Sequence, residues 1–133
     1  MFVYLFLACG GGELKAFPSS IEWGEVDFRP AMPDGGYSPQ TIDINNTGTG
    51  SVELILQDFD ADHLCMQGFG STPENLGELE EGQTYTLVAG VCNYIEEQGE
   101  RDTEITGQIE IQHSGQNSPL FIEWSFTPIF ILE

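Results

Sequence analysis

Positive charge is nearly missing from this chain. Three basic residues, Lys15, Arg29 and Arg101, face 22 acidic ones, giving a formal net charge of −19. Nucleic acid is thereby excluded as a partner, because phosphate contacts are made mainly by clustered Lys and Arg. Electrostatic docking on anionic lipid heads fails for the same reason. The acidic balance reads first as a soluble surface kept apart by self-repulsion; the other reading is a surface for cations or a basic partner.

Long apolar runs are also missing. Phe2 to Ala8 is seven residues, whereas a helix needs about 20 to cross a hydrocarbon core. No segment carries a 3.6-residue apolar period flanked by caps, so no helix longer than a turn is expected. Reaction signatures are absent too: there is no P-loop or GxGxxG fingerprint, no Gly-x-Ser-x-Gly elbow, and no CxxC or Cys/His metal spacing. The two histidines, His63 and His113, read as surface or strand-end residues rather than ligands. Glu96, Glu97 and Glu100 lie beside Tyr94 on a polar stretch. A glycosidase would hold two acids about 5 to 10 Å apart across a cleft, and nothing here prepares one. The chain is therefore read as non-catalytic, with no catalytic residues and no cofactor; a hydrolase using the Glu96/Glu97 loop is the enzyme-class alternative.

What is present is a core. Apolar residues make up 40% of the 133, including nine Phe and two Trp, which is enough to order a chain despite its charge. The length allows one domain of ordinary size, about 100 to 150 residues.

The N-terminus has its own character. Leu7-Ala8-Cys9-Gly10 resembles a bacterial lipobox, in which a small residue precedes the cysteine that becomes lipidated. Residues 1–12 are accordingly read as signal and tether, Gly10-Gly-Gly12 supplying flexibility, and residues 13–133 as the domain. Phe6 stands where Leu is usual, and the apolar stretch is short and lacks a basic n-region. The last two features point to a true start upstream of Met1. Acyl chains on Cys9 would anchor the protein stably, and the membrane would be met through that anchor alone. The rival reading is an N-terminal strand with a buried thiol. Export would also place Cys65 and Cys92 in an oxidising compartment, where a disulfide between them would close a loop of about 28 residues, worth roughly 3.5 kcal/mol on chain entropy. In a reducing compartment they would be two free buried thiols.

Period-two alternation dominates the remainder. Ile21 and Trp23 share a face, Gly24 interrupts, and Val26 and Phe28 resume, as in a bulged first strand. Ile42 and Ile44 mark a second strand. Val52, Leu54 and Leu56 mark a third, with Ile55 the exception. Asn45-Asn46-Thr47-Gly48-Thr49-Gly50 between these two is read as a hairpin. Leu64 to Phe69 is a weaker strand, followed by a Gly/Ser/Pro loop. Thr84 to Cys92 places Tyr85, Leu87 and Ala89 on one face. Ile105, Ile109 and Ile111, then Leu120, Ile122, Trp124 and Phe126, form two strands joined by a second hairpin at Ser114 to Pro119. About seven short strands indicate an all-β, immunoglobulin-like β-sandwich.

Pro18-Ser-Ser-Ile21-Glu-Trp-Gly24-Glu-Val26, Gln40-Thr-Ile42-Asp-Ile44-Asn45-Asn46-Thr-Gly48, Leu79-Glu-Glu-Gly82-Gln and Gly107-Gln-Ile109-Glu-Ile111 occur in that order. Together they resemble the ASH/hydin-type Ig-like domains, including the bacterial choice-of-anchor D group, over about residues 17 to 128. The resemblance implies an Ig-like fold and exported relatives. It says little of function, since its motifs are strand and turn signals. Ala89-Gly-Val-Cys-Asn-Tyr94 departs from the Phe-x-Pro segment usual there, and relatives often come in tandem where this chain holds one copy.

Three smaller features complete the reading. Asp58, Asp60 and Asp62 resemble the start of a calcium loop, but His63 and Phe69 occupy the EF-hand positions for Gly and Glu. What is left is a looser calcium candidate set against a solvated acidic loop. Trp23 and Trp124 lie on apolar faces and are read as core. Tyr37, in the turn-rich Pro33-Asp-Gly-Gly-Tyr37-Ser-Pro39, is a candidate contact residue. The functional expectation is a non-catalytic binding or structural module of a cell-envelope or surface lipoprotein with a protein partner. The alternative is a structural or decoration component of a larger surface or virion-type assembly.

Overall fold

A computed structural model describes residues 12–27, 39–68, 72–91 and 102–129. Within them every regular element is a strand: β1 (Leu14–Phe17), β2 (Ser20–Asp27), β3 (Gln40–Asn46), β4 (Val52–Asp58), β5 (Leu64–Met66), β6 (Glu74–Leu79), β7 (Thr84–Val91), β8 (Ile105–His113) and β9 (Leu120–Ile129). They form a four-stranded sheet in the order β1-β3-β7-β5 and a five-stranded sheet in the order β2-β9-β8-β4-β6. This is an Ig-like β-sandwich, as the alternation predicts.

The alternating residues are what the sheets bury between them. Ile42, Ile44, Val52, Leu54, Leu56, Leu87, Ala89, Ile109, Ile111, Ile122, Trp124 and Phe126 all belong to one core cluster. Trp23 packs against that cluster while partly buried, so both tryptophans serve the core. Ile55, the break in alternation, is buried but stands outside the cluster. The bulge in the first strand is present as well. The β2–β9 register shifts between Glu22 and Glu25, and Gly24 takes φ +68°, a left-handed conformation that favours glycine.

Three elements differ from the sequence expectation. Asn45–Gly50 does not close a hairpin: β3 pairs with β1 and β7, whereas β4 pairs with β6 and β8 in the other sheet. The turn carries the chain from one sheet to the other. Its pivot is Asn46, 1% exposed, whose Nδ2 donates to the carbonyls of Gly50 (2.7 Å) and Leu79 (3.1 Å) and whose Oδ1 accepts from Gly48 N (3.2 Å). The expected Leu64–Phe69 strand stops at Met66 within the described residues, and part of the loop that follows is the edge strand β6. Finally, β1 precedes the expected first strand. It runs antiparallel to β3, the chain then passes Pro18 and Ser19, and β2 joins the opposite sheet parallel to β9. Proline offers no N–H to continue a ladder, which suits that change of sheet. The hairpin expected at Ser114 to Pro119 does join β8 to β9 as antiparallel neighbours.

A candidate contact surface on the five-stranded sheet

Strand register builds a surface across β2, β9 and β8. Ser20, Glu123 and Gln108 stand in one row, Ile21, Trp124 and Gly107 in the next, and Glu22, Ser125 and Thr106 in the third. Because side chains alternate, the middle row turns inward and the outer two turn to solvent. With Glu104, those outward residues line an open trough of about 620 Å³, to which Ile21, Gly107 and Trp124 of the middle row also contribute. The short side chains of Ser20, Thr106 and Ser125 keep its floor low. Glu22, Glu104 and Glu123 supply charge of one sign, and no Lys or Arg lines it. Such a shape suits an extended partner segment better than a small substrate, for which an enclosed and mostly apolar pocket is usual.

Beneath the trough the sheet is braced by Trp124. Its indole occupies the space that a side chain at Gly107 would need, a Cβ there falling 2.7 Å from Cε2 and 3.1 Å from Nε1. The indole also stacks on Phe126, with ring centroids 5.9 Å apart and planes 22° from parallel. Nε1 has no hydrogen-bond acceptor, a cost accepted for filling this gap.

The residues singled out in the sequence fall in separate places. Cys9, Tyr37, Cys92, Tyr94, Glu96, Glu97 and Glu100 lie outside the described residues. Cys65, on β5, is paired in register with Gly90, and its sulfur is engaged rather than free. Asp58 ends β4 and Asp62 is exposed. Asp60 directs both carboxylate oxygens to its own turn: Oδ1 accepts from Asp62 N (3.0 Å), and Oδ2 lies 2.7 Å from His63 Nδ1. Among the described residues no group of three His, Cys, Asp or Glu side chains is placed to hold a metal ion. His63 also meets Phe126, ring centroids 6.0 Å apart.

His113 is a strand-end residue, as expected, but it is wholly buried rather than superficial. Its Nδ1 accepts from Gly115 N at 3.0 Å, while Nε2 has no partner. Burial pushes the imidazole below its ordinary pKa, and the backbone carbonyl of Asn117 opposes that in part. Tyr85, half-buried on β7, is raised by burial and by the charge of Glu74. Asn46 and Asn117 stand in turns that are legible in the sequence, but their long-range ties are not. The first is buried, and the second reaches the backbone of Leu14. An asparagine in a Gly-rich turn signals a turn, not which distant strand it will tie.

No family model matches the chain, and no curated protein sequence matches it. Solved structures do. A protein of unknown function from Porphyromonas gingivalis is similar over 92% of this chain at TM-score 0.59 and 18% identity; the chain spans about half of it, 49%. The ASH/PapD-like domain 7 of human CEP192 aligns over 99% of this chain and 96% of its own length at TM-score 0.56 and 9% identity. The periplasmic chaperone SfaE aligns over 91% and 61% respectively at TM-score 0.56 and 11% identity. At such identities the likeness is one of fold.

Proposed function

We propose that this chain is a non-catalytic protein-binding module of the ASH/hydin type, exported and held at a membrane by lipid on Cys9. The open trough across β2, β9 and β8 carries the binding part of this reading. An exposed sheet face with low, polar residues offers area and hydrogen bonds to a partner but no enclosed cavity for a reaction. The carboxylates of Glu22, Glu104 and Glu123 favour a partner segment bearing Lys or Arg. The fold shared with a domain named ASH/PapD-like and with a chaperone named periplasmic supports the same reading for type and location.

Export is consistent with a disulfide from Cys65 to Cys92. Cys65 pairs with Gly90, two residues before Cys92 in the sequence, so the bridge would clamp β5 to the end of β7. A thiol count on the unfolded, unreduced protein is expected to find neither of these cysteines free.

Crosslinking in the native envelope tests the function. Wild type is expected to capture a partner that Glu22→Lys/Glu123→Lys, folded to the same melting temperature, does not. Equal capture by both proteins moves the contact elsewhere, and mass spectrometry finding an unacylated Cys9 removes the anchor.

A further inference from the structure

His113 is the last residue of β8, is 0% exposed, and sits where the N-terminal segment meets the β8–β9 turn. A Cβ on Gly115 would lie 2.9 Å from His113 Nδ1 and 2.7 Å from the Gly12 carbonyl oxygen, so the imidazole, the turn and Gly12 are packed at one point. The turn in its present shape holds the start of the domain. Gln116 N donates to the Gly12 carbonyl (2.8 Å), and Asn117 bonds both backbone groups of Leu14. Since Nδ1 accepts from Gly115 N, the neutral ring carries its proton on Nε2, which has no acceptor.

We infer that His113 is an acid-sensitive latch that holds Gly12–Leu14 on the β8–β9 turn. A proton taken from solvent binds the Nδ1 lone pair, which removes the acceptor for Gly115 N–H and sets two donors against each other. It also leaves a cation in the core without a counter-charge, which is unfavourable unless the site opens to water. Opening at this point displaces Gly115 and Gln116, and with them the bonds to Gly12 and Leu14.

Only the Asn117 backbone carbonyl favours the protonated ring, and no charged side chain joins it. Charged residues on the adjoining elements are Glu13 and Lys15 before and on β1, Glu53 on β4 with Asp58 exposed at that strand's far end, Glu110 on β8 and Glu123 on β9. Alternation turns Glu53, Glu110 and Glu123 to the opposite face of their sheet. Lys15 is exposed on the outer face of the other sheet. None of these charges contributes to the downward shift of His113, which arises from burial. Tyr85, facing inward from β7, has a raised pKa and stays neutral. His63 lies against Phe126, which pairs with Ile105 at the other end of β8.

Amide exchange on the ¹⁵N-labelled full chain, with rates corrected for intrinsic pH dependence, tests the latch. As pH is lowered below 6.5, protection at Leu14, Gly115 and Gln116 is expected to fall by up to about tenfold per pH unit, the slope for uptake of one proton. Protection at Ile44 is expected to hold over the same range. In His113→Asn, whose side-chain oxygen can still accept from Gly115 N, the three amides are expected to lose that pH dependence. An equal fall in the variant overturns the latch. Should the variant not fold, the imidazole ¹⁵N shifts of wild type decide. Protonation of Nδ1 must coincide with loss of Leu14 protection. Protonation without that loss, or a ring that stays neutral until Ile44 also exchanges, overturns the proposal.

Discussion

The carboxamide of Asn117 takes both backbone groups of Leu14, accepting from its N–H at 3.2 Å and donating to its carbonyl at 2.7 Å across 103 positions of sequence. One side chain thus imitates a neighbouring strand. It ties β1, which belongs to the four-stranded sheet, to the β8–β9 turn of the five-stranded one, beside the fully buried Leu14 side chain.

Replacing Asn117 by Ala leaves the Leu14 N–H and C=O without these partners in a part-buried setting. A loss of about 1–3 kcal/mol is expected in denaturant unfolding. Asn117→Asp keeps an acceptor for the N–H but sets a carboxylate against the Leu14 carbonyl, so it is expected to be no more stable than the alanine variant.

Asn46→Ala strips the sheet-to-sheet turn of its pivot. The carbonyls of Gly50 and Leu79 and the N–H of Gly48 lose their bonds to the side chain together. A cost of about 2–4 kcal/mol is expected, at the upper end of single substitutions because the site is buried. Equal melting temperatures for variant and wild type would rule out the pivot.

Gly107→Ala brings a methyl group into the indole of Trp124. Overpacking of this kind costs about 1–3 kcal/mol. The smaller ring of Trp124→Phe is expected to absorb the methyl, so the double variant should lose less than the two single losses added together. A double-mutant cycle on melting data checks this coupling.

Stability is expected to fall with acid through His113. Its folded pKa lies below the unfolded value of 6.5, so the unfolded chain takes up more protons once pH drops past that value. The contribution is complete above about pH 6.5 and is lost below it, with a limiting slope of about 1.4 kcal/mol per pH unit for one proton. His113→Asn should unfold with a shallower dependence between pH 6.5 and 5. Parallel curves for the two proteins would refute it.

Much of the sandwich is legible in local pattern alone. Alternation at Ile42, Ile44, Val52, Leu54, Leu56, Ile109, Ile111, Ile122 and Trp124 names residues that are buried, since a strand with one face in a core must repeat every second position. Gly24 marks the bulge, and Ser114 to Pro119 marks the β8–β9 connection, because both depend on a few adjacent residues.

Sheet membership depends on partners far along the chain. Asn45–Gly50 has the composition of a hairpin whether it turns within a sheet or crosses between two, and burial of Asn46 against Leu79 and Gly50 decides which. The strand β6 leaves little trace in side-chain pattern because only Leu79 is buried on it, an edge strand being held by backbone bonds. The trough is equally hidden. Glu22, Thr106 and Ser125 come from three strands, and the parallel pairing of β2 with β9 is what aligns them. Composition and periodicity therefore specify an acidic β-sandwich, while long-range pairing decides which residues meet, because it rewards the burial of the whole core rather than any local preference.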